Sequence, residues 1–514
     1  MNYRGKVIGI VFAVFFSFLL FAGCREKSSD VEKTVKPDVP ATGFNLNNET
    51  LTLTLFAKEK LGFTFMPSNA TNRKIVWTSS DDAIVSVTQD GVVKALGYTQ
   101  GLEGTDSSTV TGTAVINART VDGDFTDTIT ITTTMEGTVA KIDLPPLKDQ
   151  FSKYFMMGNI FDPNQVTETT INDERILRHY NVLTHQNNMK PSYFGNTTTG
   201  TWPNTVTTSK PGEYNTNNLA TAMRMIDAAA AANIKILAHT LLWHSQSARW
   251  MNDLRTGSDS KETVLEWMKE YVTYIVTFFR GKIYAWDVLN EAFPDGVNAS
   301  ANWKTAFRNG ETDGLMWYMR IGSDFVYEGF KAARLADSKA ILYYNDYNLD
   351  SVGKSTMVRN MVRDVNQQWQ SDPQYDGRHL IEGIGMQSHH NTGITAAAIK
   401  ATLDLFRPLG VRISISELDL LSQSYGDYSS SAVPTNAGKL RAANLYGEFF
   451  TVFLENSDII ERVTFWGQAD NNSWRSRGLP LLFDNYVDED NIRVRRAKPA
   501  YYKVIEALEA YEAK

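Results

Sequence analysis

The sequence predicts an α/β protein in which a small all-β domain precedes a larger domain of alternating strands and helices. Three observations support this prediction. The chain has 514 residues, which suits two or three domains. Between about residues 42 and 134, apolar and polar residues alternate over short runs that turn residues separate. From about residue 150 onwards, apolar runs of strand length alternate with longer stretches of helical pattern.

The first 23 residues have the pattern of an export signal. Arg4 and Lys6 precede an apolar run over residues 7–22, which is short for a membrane span. A Phe-Ala-Gly-Cys sequence follows at residues 21–24, and Cys24 is the single cysteine of the sequence. This pattern resembles the bacterial lipoprotein signal, which implies cleavage before Cys24 and lipidation of that residue. An ordinary secretory signal and an uncleaved anchor are the alternatives.

The resemblance to a lipoprotein predicts where the protein resides. We expect an outer-membrane or cell-surface lipoprotein, held to the membrane through Cys24, with the periplasmic face as the other location. Residues 24–41 are polar and charged and contain two prolines, so we expect a flexible tether. A single cysteine cannot form an intrachain disulfide.

Strict alternation of apolar and polar residues predicts a small β-sandwich over residues 42–134. Leu51–Leu55, Ile84–Val87 and Ile129–Ile131 alternate, and Asp90-Gly91 marks a turn between strands. Val76–Asp81, Ile84–Val87, Gly91–Ala95 and Gly112–Ile116 resemble the bacterial Ig-like (Big2) domain, and this resemblance covers about residues 42–134. No catalytic cluster is visible in them. We interpret this domain as a spacer module, with a carbohydrate-binding module as the alternative.

Residues 135–149 contain Pro145-Pro146 and are interpreted as a linker. Residues 150–510 then carry eight apolar runs with helical stretches between them, which predicts a (β/α)8 TIM barrel. One of these stretches, Met316–Ala336, predicts a single helix. The eight runs are Tyr154–Phe161, Tyr180–His185, Ile234–Trp243, Ile283–Asn290, Ala340–Asn345, Ile381–Ser388, Val411–Leu418 and Arg462–Gly467. A doubly wound open sheet is the alternative, although no glycine-rich nucleotide-binding motif opens a helix.

Composition restricts the partners of the protein. The formal net charge is −7 and there is no long basic run, which argues against nucleic acid as a partner. The sequence contains 11 Trp and 22 Tyr, and a surplus of such residues near loops suits stacking on flat ligands such as sugar rings. No closely spaced metal-ligand motif appears, and we expect neither a metal nor a cofactor. His239, His244 and His389 could gather around a metal, but we favour contacts of these histidines with sugar hydroxyls or with a carboxylate. Nothing indicates oligomerisation, and we expect a monomer.

Two glutamates end predicted strands of the barrel. Glu291 follows the fourth strand and Glu417 lies at the end of the seventh, so both belong at the mouth where such barrels place their chemistry. Glycoside hydrolysis needs a pair of carboxyl groups, one that protonates the leaving oxygen and one that attacks the anomeric carbon or activates water. For Trp286–Phe293 alone, a strand end followed by a helix N-cap is an equally good interpretation.

Several motifs in a fixed order resemble glycoside hydrolase family 10, the retaining endo-β-1,4-xylanases, over residues 150–510. They are His239–Gln246, Trp286–Glu291, Asn345–Asn348, Gly383–His389, Ser416–Asp419, Thr464–Gly467 and Lys498–Tyr501. The resemblance implies an enzyme that acts on xylan and xylo-oligosaccharides. It implies Glu291 as the acid/base, Glu417 as the nucleophile, His389 as the residue that orients the nucleophile and Asp419 as support for that histidine.

The same resemblance implies a set of sugar contacts. Asn290 is expected to bind the sugar 2-hydroxyl at the cleavage site, and Gln387 lies beside His389. Further glycone contacts are Gln186, Asn187, Lys190, His239, Trp243, Gln246, Trp466 and Trp474, and the aglycone contacts are Tyr347 and Asn348.

The sequence departs from the family pattern at Gln186, where the family usually has glutamate. An amide still accepts a hydrogen bond but loses the strength that charge adds, so the expected glycone affinity is in question. Two other functions remain open. One is a related hydrolase of β-1,4- or mixed-linkage glucan, and the other is a non-catalytic xylan-binding protein on the same barrel.

Overall fold

The computed structural model describes residues 37–136, 138–139, 144–161, 178–195, 197–199, 206–487 and 493–514. The predicted signal, Cys24 and most of the tether lie outside these residues. Among the described helices, none is long and apolar enough to cross a membrane. The same residues contain no group of three or more His, Cys, Asp or Glu side chains placed to hold a metal ion.

The N-terminal domain is the predicted all-β sandwich. Its strands are β1 (Gly43–Leu46), β2 (Thr50–Thr54), β3 (Lys58–Lys60), β4 (Phe63–Met66), β5 (Ile75–Ser79), β6 (Val85–Val87), β7 (Val92–Ala95), β8 (Thr111–Thr120) and β9 (Thr126–Thr134). The larger sheet has the order β2-β9-β8-β5, while β3-β7-β6 and the pair β1-β4 complete the sandwich. Trp77, Ile116 and Ile131 lie in the core between the sheets, as the alternation requires.

The segment predicted as a linker contains regular structure. Strand β10 (Thr138–Val139) pairs with a later strand of the barrel domain, β23 (Arg493–Ala497), which also pairs with β22 (Phe483–Val487). A short helix, α1 (Leu147–Gln150), follows and buries Leu147. The chain between the two domains is therefore joined to the barrel domain by backbone pairing.

The larger domain is a parallel barrel, as predicted. Its eight barrel strands are β11 (Met156–Phe161), β12 (Val182–His185), β15 (Lys235–Leu242), β16 (Ala285–Asn290), β17 (Ile341–Asp346), β18 (Gly383–Met386), β20 (Arg412–Leu420) and β21 (Ile460–Phe465). Each pairs in parallel with its neighbour, and pairing of β21 with β11 and of β18 with β20 closes the barrel. The short strands β13 (Thr197–Thr199), β14 (Val206–Thr208) and β19 (His389–His390) lie outside the eight.

Helices surround the barrel. They are α2 (Pro191–Gly195), α3 (Thr216–Ala231), α4 (Arg249–Asp253), α5 (Lys261–Phe278), α6 (Met316–Ile321), α7 (Asp324–Ala336), α8 (Val352–Gln370), α9 (Ala396–Phe406), α10 (Tyr425–Ser429), α11 (Asn436–Glu455) and α12 (Pro499–Glu512). The sequence pattern predicts one helix over residues 316–336, but Gly322 has φ 81° and separates α6 from α7. Glycine reaches that conformation without steric cost, and it ends α6.

Burial on both faces explains why the barrel strands read as continuous apolar runs. All six residues of β16 are buried, and Trp286 and Leu289 belong to the main core. Several residues at the carboxyl ends of the strands adopt left-handed backbone conformations, with φ of 51° at Glu291, 51° at Asn348 and 60° at Ser388. Because such strained conformations cluster at functional sites, we expect the functional site at this end of the barrel.

Candidate active site

The two predicted catalytic carboxylates lie at the same mouth of the barrel. Glu291 directly follows β16, and its backbone N–H donates to the carbonyl of Asn345 over 2.9 Å. Glu417 lies within β20, and its N–H donates to the carbonyl of Gln387 over 3.0 Å. The Glu417 side chain is buried, whereas that of Glu291 is partly exposed. The barrel therefore fixes the backbone of both residues through neighbouring strands.

A chain of amides links the two carboxylates. The Asn345 Nδ2 atom donates to Glu417 Oε1 over 2.8 Å and to Asn290 Oδ1 over 2.9 Å. Gln387 Nε2 donates to Glu291 Oε1 over 2.9 Å and to the same Asn290 oxygen over 3.2 Å. Asn290 Nδ2 in turn lies 3.2 Å from Glu291 Oε1. One asparagine oxygen thus receives hydrogen bonds from the partners of both carboxylates.

His389 connects Glu417 to a second carboxylate. Its Nε2 atom is 3.2 Å from Glu417 Oε2 and its Nδ1 atom is 2.9 Å from Asp419 Oδ2. Burial lowers the pKa of His389, but the charges of Asp419 and Glu417 outweigh it and raise that pKa to about 9. Burial raises the pKa of Glu417, yet the hydrogen bond from His389 and the charges of His239 and His389 bring it below its usual value.

Asp419 has two further partners. Arg475 Nη1 lies 2.6 Å from Asp419 Oδ1, and Trp474 Nε1 donates to Oδ2 over 2.9 Å. Asp419 is fully buried, and burial raises its pKa, but the charges of His389 and Arg475 hold that pKa below its usual value. An ionised Asp419 in turn keeps His389 charged and fixes the orientation of the ring. Trp474 itself is 60% exposed at the rim.

Glu291 has an environment of its own. Trp243 Nε1 donates to Glu291 Oε2 over 3.0 Å, and His244 Nε2 lies 4.0 Å from the same oxygen. Burial lowers the pKa of His244 to about 4, so this histidine is neutral at pH 7. Arg308 Nε donates to the Glu291 carbonyl over 2.9 Å, which holds the left-handed backbone at this position. Trp243 and Gln387 orient the carboxyl group, and among the described residues no arginine forms an ion pair with it.

The predicted glycone residues surround the carboxylates. His239 Nδ1 lies 2.9 Å from Asp287 Oδ2, and the His239 ring meets the ring of Trp466 edge to face. Lys190 Nζ donates to Gln246 Oε1 over 2.7 Å and to Asn187 Oδ1 over 3.0 Å.

The Lys190 amine also lies 5.1 Å from the centre of the Trp243 ring. Burial lowers the pKa of Lys190 to about 8, although the charges of Glu417 and Glu291 oppose that decrease. Gln186 is partly buried at the tip of β12, where its backbone N–H donates to the Phe161 carbonyl over 3.0 Å.

The two predicted aglycone residues lie after β17. Arg308 Nη2 donates to the Tyr347 hydroxyl over 2.5 Å, and Lys354 Nζ lies 3.6 Å from the centre of the Tyr347 ring. Asn348 hydrogen-bonds Asp295, which also pairs with Lys354 over 2.9 Å. This side of the mouth therefore carries two cations beside an aromatic ring.

The assignment of roles from sequence missed Asn345, Arg475 and Asp287, and it also missed Arg308 and His244 beside Glu291. Asn345 lies at the tip of the fifth strand within a quoted motif, and its position was the signal that could have identified it. Asp287 occupies the middle of β16, where a buried carboxylate needs a partner, and His239 supplies it. Arg475 follows Trp474 in a loop, and nothing in the sequence pattern connects it with Asp419.

A closed parallel barrel with paired carboxylates, a histidine beside one of them and aromatic rings around both defines a glycoside hydrolase. The family model for glycosyl hydrolase family 10 matches residues 146–507, and that for the bacterial Ig-like domain, group 2, matches residues 40–100. The chain therefore belongs to glycosyl hydrolase family 10.

Solved structures and sequence relatives agree with this membership. The crystal structure of a GH10 xylanase from termite gut that contains a bacterial Ig-like domain is 40% identical, with a TM-score of 0.78, and the match covers 90% of this chain and 99% of that chain. Endo-1,4-beta-xylanase A of Thermotoga maritima is 32% identical over 71% of this chain. The exoglucanase XynX of Acetivibrio thermocellus is 30% identical over 72% of this chain. The aligned part spans 31% and 30% of those two relatives.

Proposed function

We propose that this protein is an endo-1,4-β-xylanase that hydrolyses internal bonds of xylan by a retaining double displacement. The network that joins Glu291 and Glu417 through Asn345, Asn290 and Gln387 carries the proposal. It holds one partly exposed and one buried carboxylate at a single mouth, as two distinct roles require. The termite-gut structure and the Thermotoga maritima relative are both named xylanases, which supports xylan as the substrate.

In the first step, a carboxylate oxygen of Glu417 attacks the anomeric carbon while the glycosidic C–O bond breaks. Glu291 gives its proton to the departing oxygen, and a glycosyl ester forms on Glu417. In the second step, water attacks the same carbon and the ester bond breaks. The water proton passes to Glu291, and both carboxyl groups return to their initial states. The hydrogen bonds from His389 and Asn345 keep Glu417 ionised for the first attack.

Two features of the site favour the transition state. Asn290 is fully buried beside Glu291, where we propose that it binds the sugar 2-hydroxyl, a contact that strengthens as the oxocarbenium ion develops. Trp243, Trp466 and Trp474 line the mouth, and we propose that they stack on the sugar rings.

We further propose that the enzyme is exported, lipidated at Cys24 and held at the outer membrane or cell surface. The basic residues, the short apolar run and the Phe-Ala-Gly-Cys sequence at residues 21–24 support this proposal. Metabolic labelling with a fatty-acid analogue should mark the wild-type protein and leave Cys24→Ser unlabelled. Labelling of both proteins, or of neither, would contradict lipidation at this residue.

The exoglucanase among the relatives favours β-1,4-glucan as the second candidate substrate. Product analysis on a panel of xylans and β-glucans separates the two candidates. Xylo-oligosaccharides of mixed length, with NMR showing the β-anomer formed first, are the expected result. Faster release of products from glucan would favour the second candidate, and an α-anomer formed first would contradict retention.

A further inference from the structure

A loop of the Ig-like domain binds the start of a barrel helix. Residues 101–107, called here the clamp loop, meet α11 at Asn436, which is fully buried. The Asn436 Nδ2 atom donates to the carbonyls of Gly101 over 2.8 Å and Asp106 over 2.9 Å, and its backbone N–H donates to the Gly104 carbonyl over 2.8 Å. One side chain thus uses both amide hydrogens across the domain interface.

Lys439 extends the same contact by one turn of α11. Its Nζ atom donates to the Ser107 hydroxyl over 2.8 Å and to the carbonyl of Thr105. Burial lowers the pKa of Lys439, while the charge of Asp106 opposes that decrease. Leu440, the next residue, packs against a small apolar cluster formed by Leu55, Val110 and Met135. Buried amides, a half-buried cation and apolar packing therefore meet in one patch.

A second contact lies along α12. Lys503 Nζ is 3.8 Å from the centre of the Phe56 ring, and Lys94 pairs with Glu506 over 2.7 Å. A third contact is made by the chain between the two domains, where β10 pairs with β23 and Arg496 binds Glu136 over 2.6 Å. Three separate contacts fix the orientation of the Ig-like domain and its linker on the barrel domain, because rotation about any one contact breaks the other two.

The clamped start of α11 is connected through Ser422 to the loop that holds Trp474 and Arg475. A Cβ atom on Gly438 would lie 2.2 Å from the Ser422 carbonyl, so helix and preceding loop are in close contact. The Ser422 N–H donates to the Gly478 carbonyl over 2.8 Å. Lys498, next to β23, binds Asp470 over 2.8 Å and the Leu479 carbonyl over 2.9 Å. Elements that the Ig-like domain or the linker after it contacts thus hold both ends of the 470–479 loop.

We propose that the Ig-like domain is a permanent brace of the barrel and not a free spacer. The clamp loop fixes the start of α11, and α11 with β23 fixes the 470–479 loop beside the active site. The residues involved make no contact with the catalytic carboxylates, so the brace acts by positioning. The proposal concerns folding and order, and it does not depend on which sugar the enzyme cleaves.

Hydrogen exchange and calorimetry on the full-length protein test the brace. Asn436→Ala removes both side-chain donors, and Lys439→Met removes the cation but keeps most of the side-chain length. We expect either change to speed backbone exchange about tenfold in three segments, the clamp loop, residues 421–440 and residues 470–479, because local opening becomes easier. We also expect one wild-type thermal transition, with Tm roughly 5 °C lower in Asn436→Ala.

Lys58→Met provides the matched control, since it breaks the exposed interdomain pair with Glu509 and should change neither exchange nor Tm measurably. Faster exchange confined to the clamp loop would show that the Ig-like domain contacts the barrel without ordering residues 470–479. That result would overturn the proposal. A wild-type protein whose Ig-like domain melts in a separate transition, with residues 470–479 still protected, would overturn it as well. If Asn436→Ala does not fold, Lys439→Met decides between these outcomes.

Discussion

The Nε2 atom of His389 lies 3.2 Å from Oε2 of Glu417, so the imidazolium donates to the carboxylate that we propose as the nucleophile. Because the pKa of His389 is raised and that of Glu417 is lowered, the two groups carry opposite charges near neutral pH. The Glu417 carboxylate is buried, ionised and hydrogen-bonded on both oxygens, which supports its proposed role as the nucleophile.

Replacement of Glu417 by alanine should abolish turnover and leave the fold intact. The loss should be roughly 10³-fold or more in kcat, because no other group can form the ester. Reducing-sugar release from xylan measures the activity, and circular dichroism measures the fold. Xylan hydrolysis near the wild-type rate would exclude Glu417 as the nucleophile.

Replacement of Glu291 by alanine should affect substrates according to their leaving groups. Xylan has a poor leaving group and needs the proton, whereas a dinitrophenyl xylobioside leaves without one. The rate of glycosyl-ester formation should therefore fall roughly 10²-fold or more with xylan and only slightly with the aryl substrate. Added azide should restore turnover of the aryl substrate by replacing water as the second nucleophile. Equal losses on both substrates would contradict the acid/base role.

Activity should fall on the alkaline side as His389 loses its proton. The pKa of His389 is raised to about 9. The stabilisation that the charged ring gives to ionised Glu417 is therefore fully present below the usual histidine pKa of about 6.5, and it is lost as the pH rises through about 9. A plot of kcat/KM for the dinitrophenyl xylobioside against pH measures this loss, because that substrate needs no proton from Glu291. His389→Gln should lower kcat at pH 7 and flatten the alkaline limb. An unchanged limb in that variant would show that another group titrates there.

Removal of the Arg475 charge should weaken the hydrogen-bonded group that Asp419, His389 and Glu417 form. Arg475 is buried 2.6 Å from Asp419, and its loss leaves a buried carboxylate with one cation fewer. Arg475→Met should lower the free energy of unfolding by about 3 kcal/mol and raise the pKa of Asp419. It should also shift the alkaline limb to higher pH, because Asp419 stays ionised there and loss of the nearby positive charge favours the protonated form of His389. Arg475→Lys keeps the charge and should recover part of each effect. A Met variant with wild-type stability and pH profile would contradict this role.

Much of this architecture could be predicted from local pattern. Strict alternation gave the Ig-like sandwich, and buried apolar runs ending in polar residues gave the barrel strands and the positions of Glu291 and Glu417. The Gly322 break between α6 and α7 was missed because a single glycine interrupts an otherwise regular helical pattern.

The supporting residues show where prediction from sequence ends. Arg475 reaches Asp419 across 56 positions of sequence, and Asn345 reaches Glu417 across 72. Such pairs exist only once the barrel closes, so no local period or spacing encodes them. The brace is a similar case, since Asn436 meets Gly101 across 335 positions. The linker prediction from Pro145-Pro146 could not include the pairing of β10 with β23 for the same reason.

Gln186 is the position where this sequence departs from the family pattern. Restoring the usual glutamate there tests whether this side chain contributes to glycone binding. It follows β12 at the mouth, on the same short segment as Asn187 and Lys190. The charges that raise the pKa of Lys190 come from Glu417 and Glu291, and burial still lowers that pKa to about 8. A carboxylate at position 186 would add a charge-assisted acceptor for a sugar hydroxyl and favour the charged form of Lys190.

Gln186→Glu should therefore lower KM for xylotriose and longer oligosaccharides about tenfold, which corresponds to about 1.4 kcal/mol, with little change in kcat. The gain arises because the new acceptor binds ground state and transition state alike. Gln186→Ala is the matched control and should raise KM, since it removes the remaining acceptor. Initial rates over a range of oligosaccharide lengths measure both effects. If the Glu and Ala variants had the same KM as the wild type, position 186 would not contact the sugar, and the amide would have no part in glycone binding.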